Sequence, residues 1–537
     1  MSVDLPSHPR HRFRLRDAVA GVSVALVAIP QAMAYAELAG LPSHHGLYAV
    51  ALPLLAAALF ASSPYLQTGP VATTSLLTFG ALVPLASPGS PEFVGAAAVL
   101  ALVVGLTRVV VGALRVGWIS YFMSKPVLEG FMTGAAVLIV ASQLPPALGV
   151  VPGEGGVLRQ AFSSLRAPES WNSLSVGMSV GTVTVVVVAR RLHPLVPGVL
   201  LAAVGGIVAS LLLPYNGAVV GDVPTGLPPL DLSLRFGLVP ALLVPGVIIA
   251  LVGFAEASSI SRTYASEERE RWDANREFLG QGAANVVAGL TGGFPVGGSF
   301  ARSGLTKMLG ASSRWAGFVT GLTVLFFLPF AGILSPLPRA VLAGIVIAAV
   351  LSMLHPGSLL RLADMSRAQA GVGWGTFVLT LLLAPRVDQA VLLAMLASAT
   401  LHLMRELRLE VRARRVADTL HLHPRGVLWF ASAPVLDDRI LANLERHRDA
   451  QKLVLHLGGL GRVDLTGASM LAEMLDQLRT SGLEVTVEGV PTHARRVLKG
   501  AGAPGVDQAE DPVDAEPDED LPGGYGTGEG RAPQDWS

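Results

Sequence analysis

The chain is written in long apolar blocks parted by short polar ones, from about Asp17 to Met404. A bilayer core takes about 20 apolar residues per helix. Fourteen blocks are candidate membrane segments: 17–38, 45–61, 70–86, 93–113, 127–149, 173–190, 195–213, 238–261, 279–291, 299–310, 314–334, 338–353, 369–384 and 387–404. Two of them, 279–291 and 299–310, are too short to span alone as ordinary helices. After Leu403 the pattern changes. Arg405, Arg408, Arg412, Arg414 and Arg415 make a basic stretch, and mixed polar and apolar text follows. There 426–432, 452–457 and 483–488 read as strands, while 435–450 and 466–479 carry helical spacing. The pattern predicts an α-helical polytopic membrane protein with a small α/β domain behind it. Its expected parts are a basic N-terminus (1–16), a membrane domain (17–404), a basic linker (405–416), the α/β domain (417–503) and an acidic, disordered tail (504–537).

Composition sharpens this picture. Hydrophobic residues make up 51% and charged residues 15%, against about 25% charged in an average soluble domain. A soluble enzyme of 537 residues would need more charge to cover its surface. The absence of Cys excludes a disulfide scaffold and a thiolate metal site. The formal charge of zero hides an asymmetry. Residues 505–537 hold ten acids and one base, which leaves 38 bases and 29 acids before them. With the N-terminus inside and fourteen alternating segments, seventeen Lys/Arg fall on the cytoplasmic side, Arg16, Arg108, Arg190 and Lys307 among them. Only Arg159, Arg166, Arg235, Arg339 and Arg386 fall outside, the bias expected of an inner-membrane protein. The first sixteen residues read as a polar, basic start with no secretory signal.

Irregular backbone survives within a membrane only where protein or water satisfies it. Two segments are interrupted in the same way, Gln67-Thr68-Gly69-Pro70-Val71-Ala72-Thr73-Thr74 and Gly297-Gly298-Ser299-Phe300-Ala301-Arg302-Ser303-Gly304. They open the third and the tenth segment, the third of each seven. Matched interruptions in two halves point to a transporter with inverted repeats and a midplane site. Helix amino ends aimed at one spot favour an anion there, and Arg302 adds a full charge. Gly-rich packing is the plainer alternative, and the matched placement argues against it. Ionisable residues within a membrane are costly, so each is a functional candidate. Three qualify: Glu37, Glu256 and Arg302. Glu256 is also a candidate partner for Arg302. Glu37 lies roughly 30 Å along a helix from Asp17, near the far interface. Gln31 and Tyr35, four apart, share a helix face beside Pro30.

These residues carry a family likeness. Pro30-Gln31-Ala32-Met33-Ala34-Tyr35-Ala36, Gly40-Leu41-Pro42, Gly46-Leu47-Tyr48 and Thr68-Gly69-Pro70 resemble the N-terminal signature of SulP-type anion transporters. Gly298-Ser299-Phe300-Ala301-Arg302-Ser303 and Leu337-Pro338-Arg339-Ala340-Val341-Leu342-Ala343 resemble later motifs, and the C-terminal domain resembles a STAS domain. The likeness spans roughly residues 10–503. It implies seven-plus-seven inverted repeats split into core and gate subdomains, an elevator-like movement, a homodimer, and an anion held between the third and tenth segments. It puts Gln31, Tyr35, Val71, Ala72, Ser299, Phe300, Ala301 and Arg302 near that anion. Sodium-coupled bicarbonate carriers of this type place an acid on the eighth segment with a hydroxyl four residues later; here Glu256 is followed by Ile260. Members with a carboxylate at the position of Glu37 look like proton-coupled carriers of dicarboxylates such as fumarate. A carboxylate in a low-dielectric cavity can bind a proton near neutral pH, so Glu37 and Glu256 are the expected ion-coupling residues. Sulfate and bicarbonate are the alternative substrates.

The same resemblance bears on the soluble domain. Phosphorylated STAS switches carry Asp-Ser-Ser/Thr-Gly where this chain has Asp464-Leu465-Thr466-Gly467, without the acceptor hydroxyl. Asp464 or Thr466 is an ordinary helix cap on this reading. His421 and His423 share one side of a strand, with no third metal ligand apparent. No cofactor, metal or nucleic-acid partner is expected; membrane lipid and a small anion are. The competing classes are a STAS-based membrane signalling protein and an anion channel.

Overall fold

A computed structural model describes residues 13–230, 234–351, 354, 356–406, 409–504 and 506. Most of the basic start and the acidic tail lie outside the described residues. The chain divides into two compact units, 1–398 and 399–537.

The first unit is helical. It begins with α1 (Leu15–Leu38) and α2 (His44–Phe60), then a two-residue strand β1 (Thr68–Gly69) that runs into the short α3 (Ala72–Leu82). There follow α4 (Pro91–Ala113), α5 (Lys125–Leu148), α6 (Val157–Arg166), α7 (Ser173–Leu192) and α8 (Gly198–Leu212). The second series is α9 (Val239–Glu267), α10 (Ala274–Leu290), strand β2 (Gly297–Gly298), α11 (Phe300–Met308), α12 (Trp315–Phe327), α13 (Arg339–Leu351), α14 (Pro356–Met365) and α15 (Arg367–Leu382). Helix α16 (Val387–Glu406) crosses into the second unit. Each of the fourteen expected segments falls on a helix. α6 and α14 are additional, and each follows the fifth expected segment of its series. Seven described helices are long and apolar enough to cross a membrane by length and composition, α1, α4, α5, α7 and α9 among them. Broad apolar faces are exposed, for instance Leu201, Val204, Val208 and Leu211 on α8.

Two sequence readings change here. α10 starts five residues before the expected 279 because the Asp273 side chain accepts from the backbone of Asn275 and Arg276 and so starts the helix early. Arg108, placed at the cytoplasmic surface by its nearness to a segment end, is fully buried among α4, α9 and the approach to β2.

Helix packing is reciprocal between the two series. α4 packs on α9 and α10, and α12 packs on α1 and α2; α5 packs on α15, and α13 on α7. Small residues allow the closest of these approaches. On α4 and α10 a glycine recurs every seven residues, at Gly105 and Gly112 and at Gly282 and Gly289. A Cβ at Gly105 would lie 2.6 Å from the Val286 backbone nitrogen, and one at Gly289 2.6 Å from the Ala98 carbonyl. Between α1 and α2, a Cβ at Gly46 would lie 2.1 Å from the Ala32 carbonyl, so only glycine fits that crossing.

The second unit is a five-stranded sheet with helices. Its strands are β3 (Glu410–Val416), β4 (Thr419–Leu428), β5 (Lys452–His456), β6 (Leu460–Val463) and β7 (Glu484–Glu488). The order is β3-β4-β5-β7, with β6 on β4; β3 is antiparallel to β4 and the other pairs are parallel. α17 (Ala433–Arg446), α18 (Leu465–Thr480) and α19 (Thr492–Gly500) accompany it. Leu420, Leu422, Leu453, Leu455, Val485 and Val487 are buried on one sheet face, in one core with Leu471 and Leu475 of α18. The stretch 405–416, expected as a linker, therefore carries an edge strand. Its exposed arginines hid it, since charged residues are typical of a sheet edge. The strand expected at 426–432 instead runs from Thr419 to Leu428, where buried and half-buried residues alternate.

Candidate functional site

The two interrupted segments meet. β1 and β2 pair antiparallel, Thr68 with Gly298 and Gly69 with Gly297, so α3 and α11 leave one short ribbon in opposite directions. The pairing is extended by Ser299 N donating to Gln67 O at 3.0 Å and Gln67 N donating to Ser303 Oγ at 2.9 Å. Ser299 caps α11, its hydroxyl accepting from Arg302 N at 3.4 Å. The first turns of both helices leave backbone N–H groups without intrahelical partners, which suits an anion.

Arg302 links the two breaks. It stands in the first turn of α11 and is 2% exposed. Its Nη2 donates to the Pro70 carbonyl, between β1 and α3, at 2.9 Å. Its Nη1 lies 3.5 Å from Gln31 Oε1 on α1, and Gln31 Nε2 donates to the Tyr35 hydroxyl at 3.1 Å. Gln31, Phe300, Ala301 and Arg302 line a cavity of about 630 Å³ whose wall also includes Arg190 at the end of α7. Val71 and Ala72 are buried at the start of α3 and are not among its lining residues. The cavity is bounded by the middle of α1, the end of α7, the start of α8 and the length of α11.

The two carboxylates part company. Glu256 on α9 accepts from Thr73 Oγ1 of α3 at 2.8 Å, whereas the hydrogen bonds of Arg302 go to Pro70 and Gln31. Glu256 thus takes its hydrogen bond from the helix across from the arginine, while the two opposite charges still attract each other without direct contact. Ile260, four residues on, is buried and offers no oxygen from its side chain. Glu37 stands at the other end of α1, 3.5 Å from Arg339 Nε at the start of α13. It does not line the cavity that reaches Gln31.

Sequence reasoning missed the supports of the ribbon. Asn285 on α10 clamps Val296, accepting from its N–H at 2.9 Å and donating to its carbonyl at 3.0 Å. Gln281, one turn earlier, donates to Thr68 Oγ1 at 2.6 Å. Arg108 donates to the Val296 carbonyl at 2.8 Å. A polar residue inside an apolar helix was the available signal, overlooked for Gln281 and Asn285 because they carry no charge. In the second unit Asp464 is the cap of α18, accepting from Gly467 N at 2.6 Å. His421 and His423 gain a neighbour in His456: Nδ1 of His421 is 3.0 Å from Nε2 of His456, and the His423 ring stacks on it at 4.2 Å.

Comparison with known proteins adds the following. The profile of the sulfate permease family matches residues 15–376, and that of a Mlab-type STAS domain matches 409–506. A Mycobacterium tuberculosis protein described as probable sulfate transporter Rv1739c is 29% identical, over 92% of each chain. Human solute carrier family 26 member 6 is 31% identical over 75% of this chain and 56% of its own. The structure of the murine solute carrier 26 family member A9 anion transporter in its inward-facing state superposes with a TM-score of 0.84, at 19% identity, over 92% of this chain and 89% of that one.

Proposed function

The chain belongs to the sulfate permease family and is a multi-pass membrane anion transporter with a C-terminal STAS domain; from that premise we propose proton-coupled uptake of a small dianion by an elevator-type carrier. The observation that carries the reading is Arg302, a buried guanidinium that joins the two broken segments and borders the cavity. An anion there meets a fixed charge and unpaired N–H groups in a dry setting, where charge-assisted hydrogen bonds are strong. A proton taken up with the anion offsets the charge that must cross the lipid. Glu256, within the same cluster, and Glu37, on the same helix as Gln31, are the groups to carry it. Ile260 gives no ligand for sodium.

The matched packing of α4 on α9 and α10 with that of α12 on α1 and α2, and of α5 on α15 with that of α13 on α7, supports a seven-plus-seven inverted repeat. In this arrangement α1–α4 and α9–α12 form the moving core, and α5, α7, α8, α13, α15 and α16 the gate. The cavity wall reaches Arg190 at the end of α7, the cytoplasmic side by the distribution of basic residues, which supports an inward-facing carrier. The N-terminus and the STAS domain share that side of the inner membrane, and the carrier works as a homodimer. A fumarate-like dicarboxylate is the first substrate to test. Sulfate is the second, favoured by the names of the relatives.

Purified protein in liposomes tests this. Labelled fumarate or sulfate should accumulate when the outside is acidified, without sodium, and Glu37→Gln should flatten the pH dependence while anion binding persists. Uptake driven by sodium and indifferent to pH removes the proton coupling. Currents far above carrier turnover would indicate a channel, and saturable flux excludes a mere signalling protein.

A further inference from the structure

A second buried cation stands at the same ribbon. Arg108 on α4 has no exposed surface. Its Nη1 donates to Val296 O at 2.8 Å, its Nε to Ala250 O at 3.1 Å, and its Nη2 lies 3.4 Å from Ile249 O. Among the described residues it makes no ion pair. In the antiparallel register, the rung after Gly69–Gly297 sets Pro70 against Val296. Arg302 holds the carbonyl of the first and Arg108 that of the second, so two guanidiniums act on one end of one two-stranded ribbon.

The same cluster holds Glu256. A Cβ on Gly253, one helical turn before Glu256, would lie 2.5 Å from Arg108 Nη2 and 3.0 Å from the methyl of Thr74, the neighbour of the Thr73 that binds Glu256. The carboxylate attracts Arg302 electrostatically, and Arg108 approaches the same stretch of α9 without forming an ion pair with it.

Hydrogen bonding alone does not require an arginine here. The Val296 carbonyl already has the Asn285 amide. Ile249 and Ala250 lie inside the continuous helix α9, where carbonyls pair four residues on. What Arg108 adds beyond these neutral partners is charge, and burying an unpaired charge is expensive. An anion at the neighbouring amino ends would offset it.

We propose that Arg108 is a specificity-determining residue: a second fixed positive charge that, with Arg302, selects doubly over singly charged anions. The assignment rests on the reading of this site as the anion site. A dianion balances the two guanidiniums when Glu256 carries a proton, and a monoanion leaves one charge over. One extra unit charge roughly 10 Å away at an effective dielectric near 20 is worth on the order of tenfold in the ratio of affinities.

The experiment uses the full chain in liposomes and measures inhibition of labelled anion uptake by sulfate and fumarate against nitrate and formate. Wild type should favour the dianions. Arg108→Gln and Arg108→Met should lower the monoanion-to-dianion ratio of inhibition constants about tenfold, and Arg108→Lys should keep it. If the neutral variants weaken both classes by one common factor, or the lysine variant loses the ratio as they do, Arg108 is structural and the assignment is overturned. Should the neutral variants not insert, Arg108→His carries the test: measured against wild type at each pH, its ratio should be low at high pH and approach the wild-type ratio as pH falls, and a ratio that keeps one constant proportion to wild type at every pH overturns the proposal. Wild-type protein that carries no anion at all overturns the transporter reading itself; wild-type protein that carries both classes equally overturns only the role of Arg108.

Discussion

Arg302→Met separates binding from folding. Methionine keeps an unbranched side chain in the first turn of α11 and removes the charge. The structure gives Arg302 one short bond, 2.9 Å to the Pro70 carbonyl, and a long one of 3.5 Å to Gln31. Leaving the buried Pro70 carbonyl without this partner costs about 1–3 kcal/mol. That loss is opposed by no longer burying an arginine with no carboxylate within hydrogen-bonding distance. Stability should therefore change by less than about 2 kcal/mol. Anion binding has no such compensation. Removing one partner of a buried charge pair costs about 2–5 kcal/mol, which is roughly 30-fold to several thousand-fold in affinity. Titration calorimetry with sulfate and fumarate on detergent-purified protein, beside the unfolding midpoint, reads both quantities. Arg302→Lys keeps the charge without the planar fork and should fall between the two. Affinity within threefold of wild type for Arg302→Met, in a protein that melts normally, would refute the placement of the anion at this arginine.

Gly298→Val tests the ribbon, because a Cβ there lies 2.9 Å from the Ala257 Cβ and 3.0 Å from its Cα, so α9 itself must shift; uptake should fall at least about tenfold, and unchanged uptake would show that the α9–β2 contact does not matter. Asp464→Ala removes the cap of α18 and should destabilise that helix by about 1 kcal/mol, visible as faster amide exchange over Leu465–Thr480 with anion affinity unaltered. In the second unit burial pushes His423 and His456 below the ordinary histidine value, with His456 adding to the effect at His423 and Glu488 opposing it at His456. The neutral rings are then the folded form, so this contribution to stability is intact above the unfolded-state value near 6.5 and is lost as pH falls from there through the lowered folded-state values. The protection factors of β4 and β5, taken relative to the intrinsic exchange rate at each pH, should fall between pH 7.5 and 5.5, and higher protection at the lower pH would give the wrong sign.

The sequence by itself determined which stretches are apolar helices, since each reveals itself through length and composition that no other part of the chain can alter. It also determined where the two helices break, because Gly69-Pro70 and Gly297-Gly298 are local instructions to the backbone. The strand faces of Leu453, Leu455, Val485 and Val487 are equally local in kind, whereas the Leu420–Leu422 part of β4 is not legible beside the expected 426–432, and β3 is hidden because an edge strand of arginines looks like a linker. Tertiary structure decided everything that depends on a partner far along the chain. Arg302 finds Pro70 across 232 residues, and Glu256 finds Thr73 across 183. Arg108 lies five residues from the end of α4, a position equally consistent with the membrane surface and with the interior. Only the packing of α4 against α9 and α10 turned it inward. A hydrophobic pattern records how much of a segment is dry, whereas the pairing of a buried charge is fixed by which other segment the fold brings within about 3 Å of it.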